Sequence, residues 1–316
     1  TVEQQQIDAR RGQGAVRAWM AFEAMTINKL TADVAMADVS IKLGKDLSPL
    51  EFQRVVGRLE GRQFQSQRIS HELSVNNLQL TTSDGRTLPA ITLTERFEAA
   101  TRKEGAQGGL TAQTVDLQVL SELSEKLPLA LAVREALSKF EPKGKLQQFQ
   151  IKWQAPLENS GESTKFLAKG EFSELEIRAQ ADRTALTRLL APSLNATSTA
   201  SQPSQVQTAP SLGVPGFSKI TGRFEATETG GLLHVRSEKA SLTFPGLFEE
   251  PTLPFDKLAF DARWKVNPKE VEIKVTNAQL ISPELTANVA AEYRTVGKGP
   301  GFLELDAKLS KPRTFP

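Results

Sequence analysis

Apolar residues alternate with polar ones along most of this chain. In Lys257–Val266, Leu258, Phe260, Ala262, Trp264 and Val266 point one way, and Lys257, Ala259, Asp261, Arg263 and Lys265 the other. A period of two is the signature of a strand with one buried and one solvated face. The pattern continues at Val271, Ile273 and Val275, at Leu285, Ala287, Val289, Ala291 and Tyr293, and at Leu303, Leu305, Ala307 and Leu309, with a change of face near Phe302. Upstream it is found at Ile220, Gly222, Phe224 and Ala226, at Leu233 and Val235, and at Ala240, Leu242 and Phe244. Turn signals at Glu228-Thr229-Gly230-Gly231 and Asn267-Pro268-Lys269 separate these runs, so Pro215 onward reads as a meander of about seven strands.

The first half repeats the theme. Ala35, Ala37, Val39, Ile41 and Leu43 alternate, as do Val55, Gly57, Leu59 and Gly61. Ile69, His71, Leu73 and Val75 follow, then Leu78 and Leu80 after an Asn76-Asn77 step, and Ile91, Leu93, Glu95 and Phe97 form a return strand beyond Ser83-Asp84-Gly85. Phe149, Ile151 and Trp153 alternate, then Phe166, Ala168, Gly170 and Phe172, then Leu175, Ile177 and Ala179. Glycines inside these runs are expected to mark bulges or bends.

Two helical stretches interrupt. Leu117, Leu120, Leu123, Leu127, Leu131 and Leu137 lie mostly three or four residues apart between Val115 and Lys139, and Pro128 divides them into two short helices. Another short helix is expected at Arg183–Leu190. The segment 193–214 is rich in Ser, Thr, Ala, Gln and Pro and carries no charge, as a linker or an insertion would. Strand patterns of the same kind on both sides favour an insertion. The organisation is therefore a β-groove segment over 1–114, a helical insertion over 115–143, a second β segment with a short helix over 144–192, the linker or insertion over 193–214, and a β-meander over 215–316.

Composition narrows the function. The 316 residues carry 39 Lys+Arg against 37 Asp+Glu and no Cys. The balance lacks the basic excess of a nucleic-acid surface, and the missing thiols remove disulfides, thiolate catalysis and zinc–cysteine sites. No apolar run is longer than Leu129–Val133, far short of the roughly 20 residues of a membrane-spanning helix. The chain opens on Thr1 and reads as an excised segment. His71 and His234 both sit inside strand patterns with no carboxylate at a metal-ligand spacing, and no nucleotide-binding or nucleophile motif is complete. The expectation is a non-enzyme without cofactor or metal. Sixteen Phe stand against three Trp and one Tyr, so most of the aromatic mass is purely apolar.

Pro215–Val266 resembles the middle region of the YhdP-type, AsmA-like proteins of bacterial envelopes. The shared phrases are Pro215-Gly216-Phe217, Gly222, Gly230-Gly231, Phe244-Pro245-Gly246-Leu247-Phe248, Glu250-Pro251, Leu253-Pro254 and Trp264. Leu123–Trp153, with its Leu-Pro helix and a strand ending in Trp, is similar to the same family, and Phe22–Leu43 fits more loosely. The long insertion at 193–214 departs from the family's tighter connection. The resemblance implies a long, curved antiparallel sheet shaped as an open gutter, whereas alternation alone slightly favours a closed β-sandwich. It implies a periplasmic segment of an inner-membrane-anchored protein that conducts phospholipids between inner and outer membranes, with acyl chains as its ligand. The alternative is a non-catalytic envelope scaffold that binds protein partners through its sheet edges. From alternation, the residues expected to line the groove are Phe224, Leu233, Val235, Leu242, Phe244, Leu258, Phe260, Trp264, Val266, Val271, Ile273, Val275, Leu285 and Val289.

Overall fold

The computed structural model describes residues 8–23, 26–65, 69–157, 162–180, 214–245, 249–267, 270–295 and 301–310. Within them the chain forms one antiparallel sheet of fourteen strands, each paired to the next in sequence. The strands are β1 (Asp8–Glu23), β2 (Thr26–Lys42), β3 (Leu50–Gln65), β4 (Ile69–Thr82), β5 (Ile91–Glu98), β6 (Gln107–Asp116), β7 (Lys143–Gln154), β8 (Lys165–Ile177), β9 (Gly216–Thr227), β10 (Gly230–Thr243), β11 (Thr252–Asn267), β12 (Glu270–Ile281), β13 (Thr286–Arg294) and β14 (Phe302–Ser310). The sheet is not closed: β1 and β14 form its two edges, and it curves as a groove. The segments on either side of the 193–214 stretch belong to neighbouring strands, because β8 pairs directly with β9. The helix expected at Arg183–Leu190 lies outside the described residues.

The apolar alternation does not run unbroken through each strand. In seven strands a polar residue takes a left-handed backbone conformation: Asp38, Asn77, Gln148, Glu174, Lys219, Lys239 and Asn277. Such backbone is uncommon in non-glycine residues. Each of these sits in the same local phrase: an inward residue, an outward residue, the left-handed residue, then an inward residue. The phrases are Met36-Ala37-Asp38-Val39, Val75-Asn76-Asn77-Leu78, Leu146-Gln147-Gln148-Phe149, Phe172-Ser173-Glu174-Leu175, Phe217-Ser218-Lys219-Ile220, Ser237-Glu238-Lys239-Ala240 and Val275-Thr276-Asn277-Ala278. The left-handed step lets the alternation slip by one residue while both halves keep their apolar side chains on one face. Phe172 and Leu175, on opposite sides of one step, pack in the same cluster, as do Val235 and Ala240 across another.

This corrects three expectations. The two runs Leu233–Val235 and Ala240–Phe244 are one stepped strand, β10, so six strands rather than seven are described after Pro215. The runs at Phe166–Phe172 and Leu175–Ala179 likewise merge into β8, which ends at Ile177. Ala35 and Ala37 do not share a face with Val39 and Ile41, because Asp38 intervenes; Met36 and Val34 do. Among the inward glycines, Gly57 and Gly170 stand at register shifts opposite the left-handed residues Asn77 and Gln148, as expected of glycines that mark bulges, whereas others make room for rings. Gly222 leaves room for the Phe172 ring, whose Cζ would lie 2.8 Å from an added Cβ. Gly231 leaves room for the Trp264 indole in the same way.

Two clusters anchor the apolar face. Phe172, Ile220, Val235, Ala240 and Leu258 form one across β8–β11, flanked by Leu146, Leu175, Phe217, Phe224, Leu242, Phe260 and Leu280. Leu50, Phe52, Leu80 and Leu88 form the other, over β3, β4 and the turn beyond it. Helix α1 (Leu117–Leu123) and the following 3-10 turn lay Val119, Leu123 and Leu127 on this second cluster. Asp116 starts α1 by accepting the Val119 N–H at 3.1 Å. Helix α2 (Leu131–Phe140) ends at Glu141 in a left-handed cap. The division of the helical stretch around Pro128 is as the sequence predicts.

Candidate functional site

The apolar face is the candidate site, and strand register builds it. Starting at β1, Met20 faces Leu30, which faces Gly61, which faces Leu73. The row continues through Glu95, Leu110, Ile151 and Ala168. It then passes Ala226, Gly231, Trp264, Ile273, Tyr293 and Leu303. One residue from each of fourteen strands lies in this single row, and only Glu95 carries a charge. The adjacent row holds Ala32, Leu59, Val75, Leu93, Ala112 and Phe149 in the first half. In the second half it holds Gly170, Phe224, Leu233, Ala262, Val275, Ala291 and Leu305. No member is charged. Two parallel apolar rows therefore run the width of the sheet, and, Glu95 apart, the charged residues of the same strands face the other way.

The predicted lining residues distribute as follows. Phe224, Leu233, Phe260, Trp264, Ile273 and Val275 lie on this face and keep part of their surface open. So do Val266 and Val271, paired with one another near a strand end. Val289 pairs with Ala278 across β12 and β13. Leu242 pairs with Leu253. Val235 and Leu258 are on the same face but only 1% and 2% exposed, so they form the packed floor rather than open lining. Phe244 and Leu285 lie in the connections outside β10 and β13. On the first half the alternation, once corrected for the steps, adds Leu30, Leu59 and Leu73, which are 42%, 39% and 50% exposed. The sequence could have named them from the same periodicity.

Among the described residues, the one titratable pair on this face is His71 with Glu95. His71 Nε2 lies 3.2 Å from Glu95 Oε2. That oxygen is buried and makes no aligned hydrogen bond. Burial pushes the Glu95 carboxyl above its ordinary range, and the nearby imidazole pulls partly against it. The His71 ring stacks on Phe97, centroid to centroid 5.3 Å, and Phe97 stands 6.1 Å from Trp153.

The opposite face carries a different cluster. Asp261 Oδ1 accepts from Arg236 Nη2 at 2.8 Å and lies 2.9 Å from His234 Nδ1, and Oδ2 accepts from Asn277 Nδ2 at 3.0 Å. These bonds, with Asn277 the largest contributor, hold the Asp261 carboxyl well below the usual carboxylate range. Arg236 also donates to the Val235 and Phe260 carbonyls. The cluster fastens the step at Asn277 from the solvent side. Other steps are fastened by hydroxyls: Asn77 N–H donates to Thr92 Oγ1 and Glu174 N–H to Thr221 Oγ1.

Among the described residues no group of His, Asp and Glu could hold a metal ion, and no helix is long and apolar enough to cross a membrane. No curated protein and no solved structure matches the chain. The family model described as YhdP protein matches residues 2–314. With nearly the whole sequence covered and an open curved antiparallel sheet of the kind the resemblance implied, this chain belongs to the YhdP family.

Proposed function

We propose that this chain is a periplasmic segment of an inner-membrane-anchored, AsmA-like envelope protein that conducts phospholipids along its apolar face between the inner and outer membranes. The family membership supports an envelope protein. The observation that carries the lipid reading is the register row across fourteen strands, apolar but for Glu95 at β5.

The physical requirement is simple. A two-chain lipid moved through water exposes about 30 methylenes at about 0.8 kcal/mol each, roughly 20 kcal/mol or more. A conduit must offset nearly all of that without holding the lipid at any one position. A face that repeats the same aliphatic and phenylalanine surface strand after strand does so, because each step exchanges one apolar contact for an equivalent one. The role needs no catalytic group and no cofactor. It needs a wet outer face, which the alternation supplies.

A second reading has its own observation. Every residue of β1 and β14 is exposed, including the unpaired outer edges, and free edges suit strand addition by a protein partner. Bound lipid separates the two. Organic extraction of the purified full-length protein followed by mass spectrometry should return phospholipid. The same protein carrying Phe260→Asp and Ile273→Asp should return far less while remaining folded by circular dichroism. Lipid-free wild-type protein, or variants that retain full lipid, would contradict the conduit and favour the scaffold.

A further inference from the structure

On the apolar face, apart from the buried Ser237 hydroxyl held by the Thr221 backbone, the side chains with polar atoms of consequence gather at one rim. His71, Glu95, Trp153, Trp264 and Tyr293 all lie within three residues of the strand ends along one rim, where β4 begins, β5, β7, β11 and β13 finish. Glu95, Trp264 and Tyr293 share one register row, and His71 and Trp153 lie in the row beside it, toward that rim. The opposite rim, beyond the left-handed steps, presents Leu50, Phe52, Leu80, Leu242, Phe255 and Leu280, aliphatic or phenylalanine throughout. The third tryptophan, Trp19, is on the outer face, 6.0 Å from Arg58.

Trp and Tyr settle where an apolar body meets a polar medium. A lone histidine–carboxylate pair on an apolar face is costly unless a further polar partner completes it, and the buried Glu95 Oε2 lacks an aligned hydrogen bond. A protein segment docking on this face would have no reason to find all such groups at one rim. An amphiphile would.

We infer that the groove orients its lipid: the headgroup lies along the rim of His71, Glu95, Trp153, Trp264 and Tyr293, and the acyl chains cross toward the aliphatic rim. The inference rests on the conduit reading above. The chemistry fits a zwitterionic phospholipid, whose phosphate can accept from a His71 ring N–H and whose ammonium matches the Glu95 carboxylate. The indole and phenol rims of Trp264 and Tyr293 continue the same polar border strand by strand. Lipids then travel in single orientation.

The test uses the full chain with Trp19→Phe and Trp264→Phe, leaving Trp153 as the emitter. It is loaded with dioleoylphosphatidylcholine bearing a nitroxide either on the choline or on the terminal acyl carbon, and the protein–lipid complex is isolated by gel filtration. The choline label should quench Trp153 several-fold more strongly than the tail label. In the further variant His71→Leu/Glu95→Leu, that advantage should shrink while bound lipid per protein stays the same. Equal or stronger quenching by the tail label would overturn the orientation and leave the conduit standing. Lipid that fails to co-elute at all would overturn both. A full headgroup advantage in the double variant would overturn the role of the ion pair.

Discussion

The sheet carries two histidine–carboxylate pairs of nearly the same spacing, and they behave in opposite ways. His71 and Glu95 are 3.2 Å apart on the apolar face; His234 and Asp261 are 2.9 Å apart on the polar one. Glu95 has one neighbour of opposite character, and burial raises its proton affinity. Asp261 has three donors, Asn277, His234 and Arg236, and its proton affinity falls. The contrast shows what the left-handed steps accomplish. Polar groups are spent freely on the outer face to lock the backbone, and the inner face is kept so clear that a single ion pair stands out. A pair that costs stability and fastens nothing is better explained by what it meets than by what it holds.

The largest effect should come from extending the charge test to the floor. Val235 is on the same face as Glu95 but 1% exposed and without a polar partner. Val235→Asp should therefore cost about 3–5 kcal/mol, a large part of a typical domain's stability, and urea unfolding should show it as a collapsed or absent transition. Retention of near-wild-type stability would mean the floor is not packed as described.

Next comes Asp261→Ala, which removes hydrogen bonds to a charged acceptor and should cost about 1.5–3 kcal/mol at neutral pH. The sign follows from the depressed affinity. The stabilisation is complete above the ordinary carboxylate value of 3.8 and is lost as pH falls below it. Wild type and variant should converge in acid, and a constant gap would assign the loss to packing.

The step itself should be worth less. Asn277 has φ 53°, a conformation that costs a β-branched residue about 1–2 kcal/mol. Asn277→Val should lower the unfolding free energy by about that much more than Asn277→Gly, because both lose the bond to Asp261 but glycine accepts the backbone. Equal losses would show that the side chain alone matters.

The smallest effect should have the opposite sign. The ordinary value for Glu95 is 4.5, and its folded value is higher. Ionised Glu95 therefore opposes folding at neutral pH and ceases to do so as pH falls through 4.5. Glu95→Gln should stabilise by less than about 1 kcal/mol at neutral pH, the site being partly open to water. The two proteins should match near pH 4. Destabilisation at neutral pH would give the ion pair a structural role.

The sequence carried more of this than its individual runs suggested. Alternation at Leu258–Val266 and Val271–Val275 placed those residues on one face because period two is a direct consequence of strand geometry. The Asn76-Asn77 step was visible as a slip between Val75 and Leu78. The equivalent slips at Asp38, Lys239 and Glu174 are not legible as such, since each half alternates well alone and a shift of phase looks like a new strand. The buried floor at Val235 and Leu258 was not legible either, because it depends on how sharply the sheet curves, which no single strand encodes. His71 and Glu95 each fell on the apolar phase of their strands, yet their pairing needed the register of β4 against β5.

The central claim is that one face touches lipid through every strand and keeps that face across each step. A photo-crosslinking residue placed singly at consecutive positions from Val271 to Leu280, in the full-length protein in cells, tests it. Phospholipid adducts should form at Val271, Ile273 and Val275, be absent at Glu272, Lys274 and Thr276, and resume at Ala278 and Leu280 rather than at Asn277 and Gln279. Adducts without that alternation and slip, or only with protein, would contradict the account.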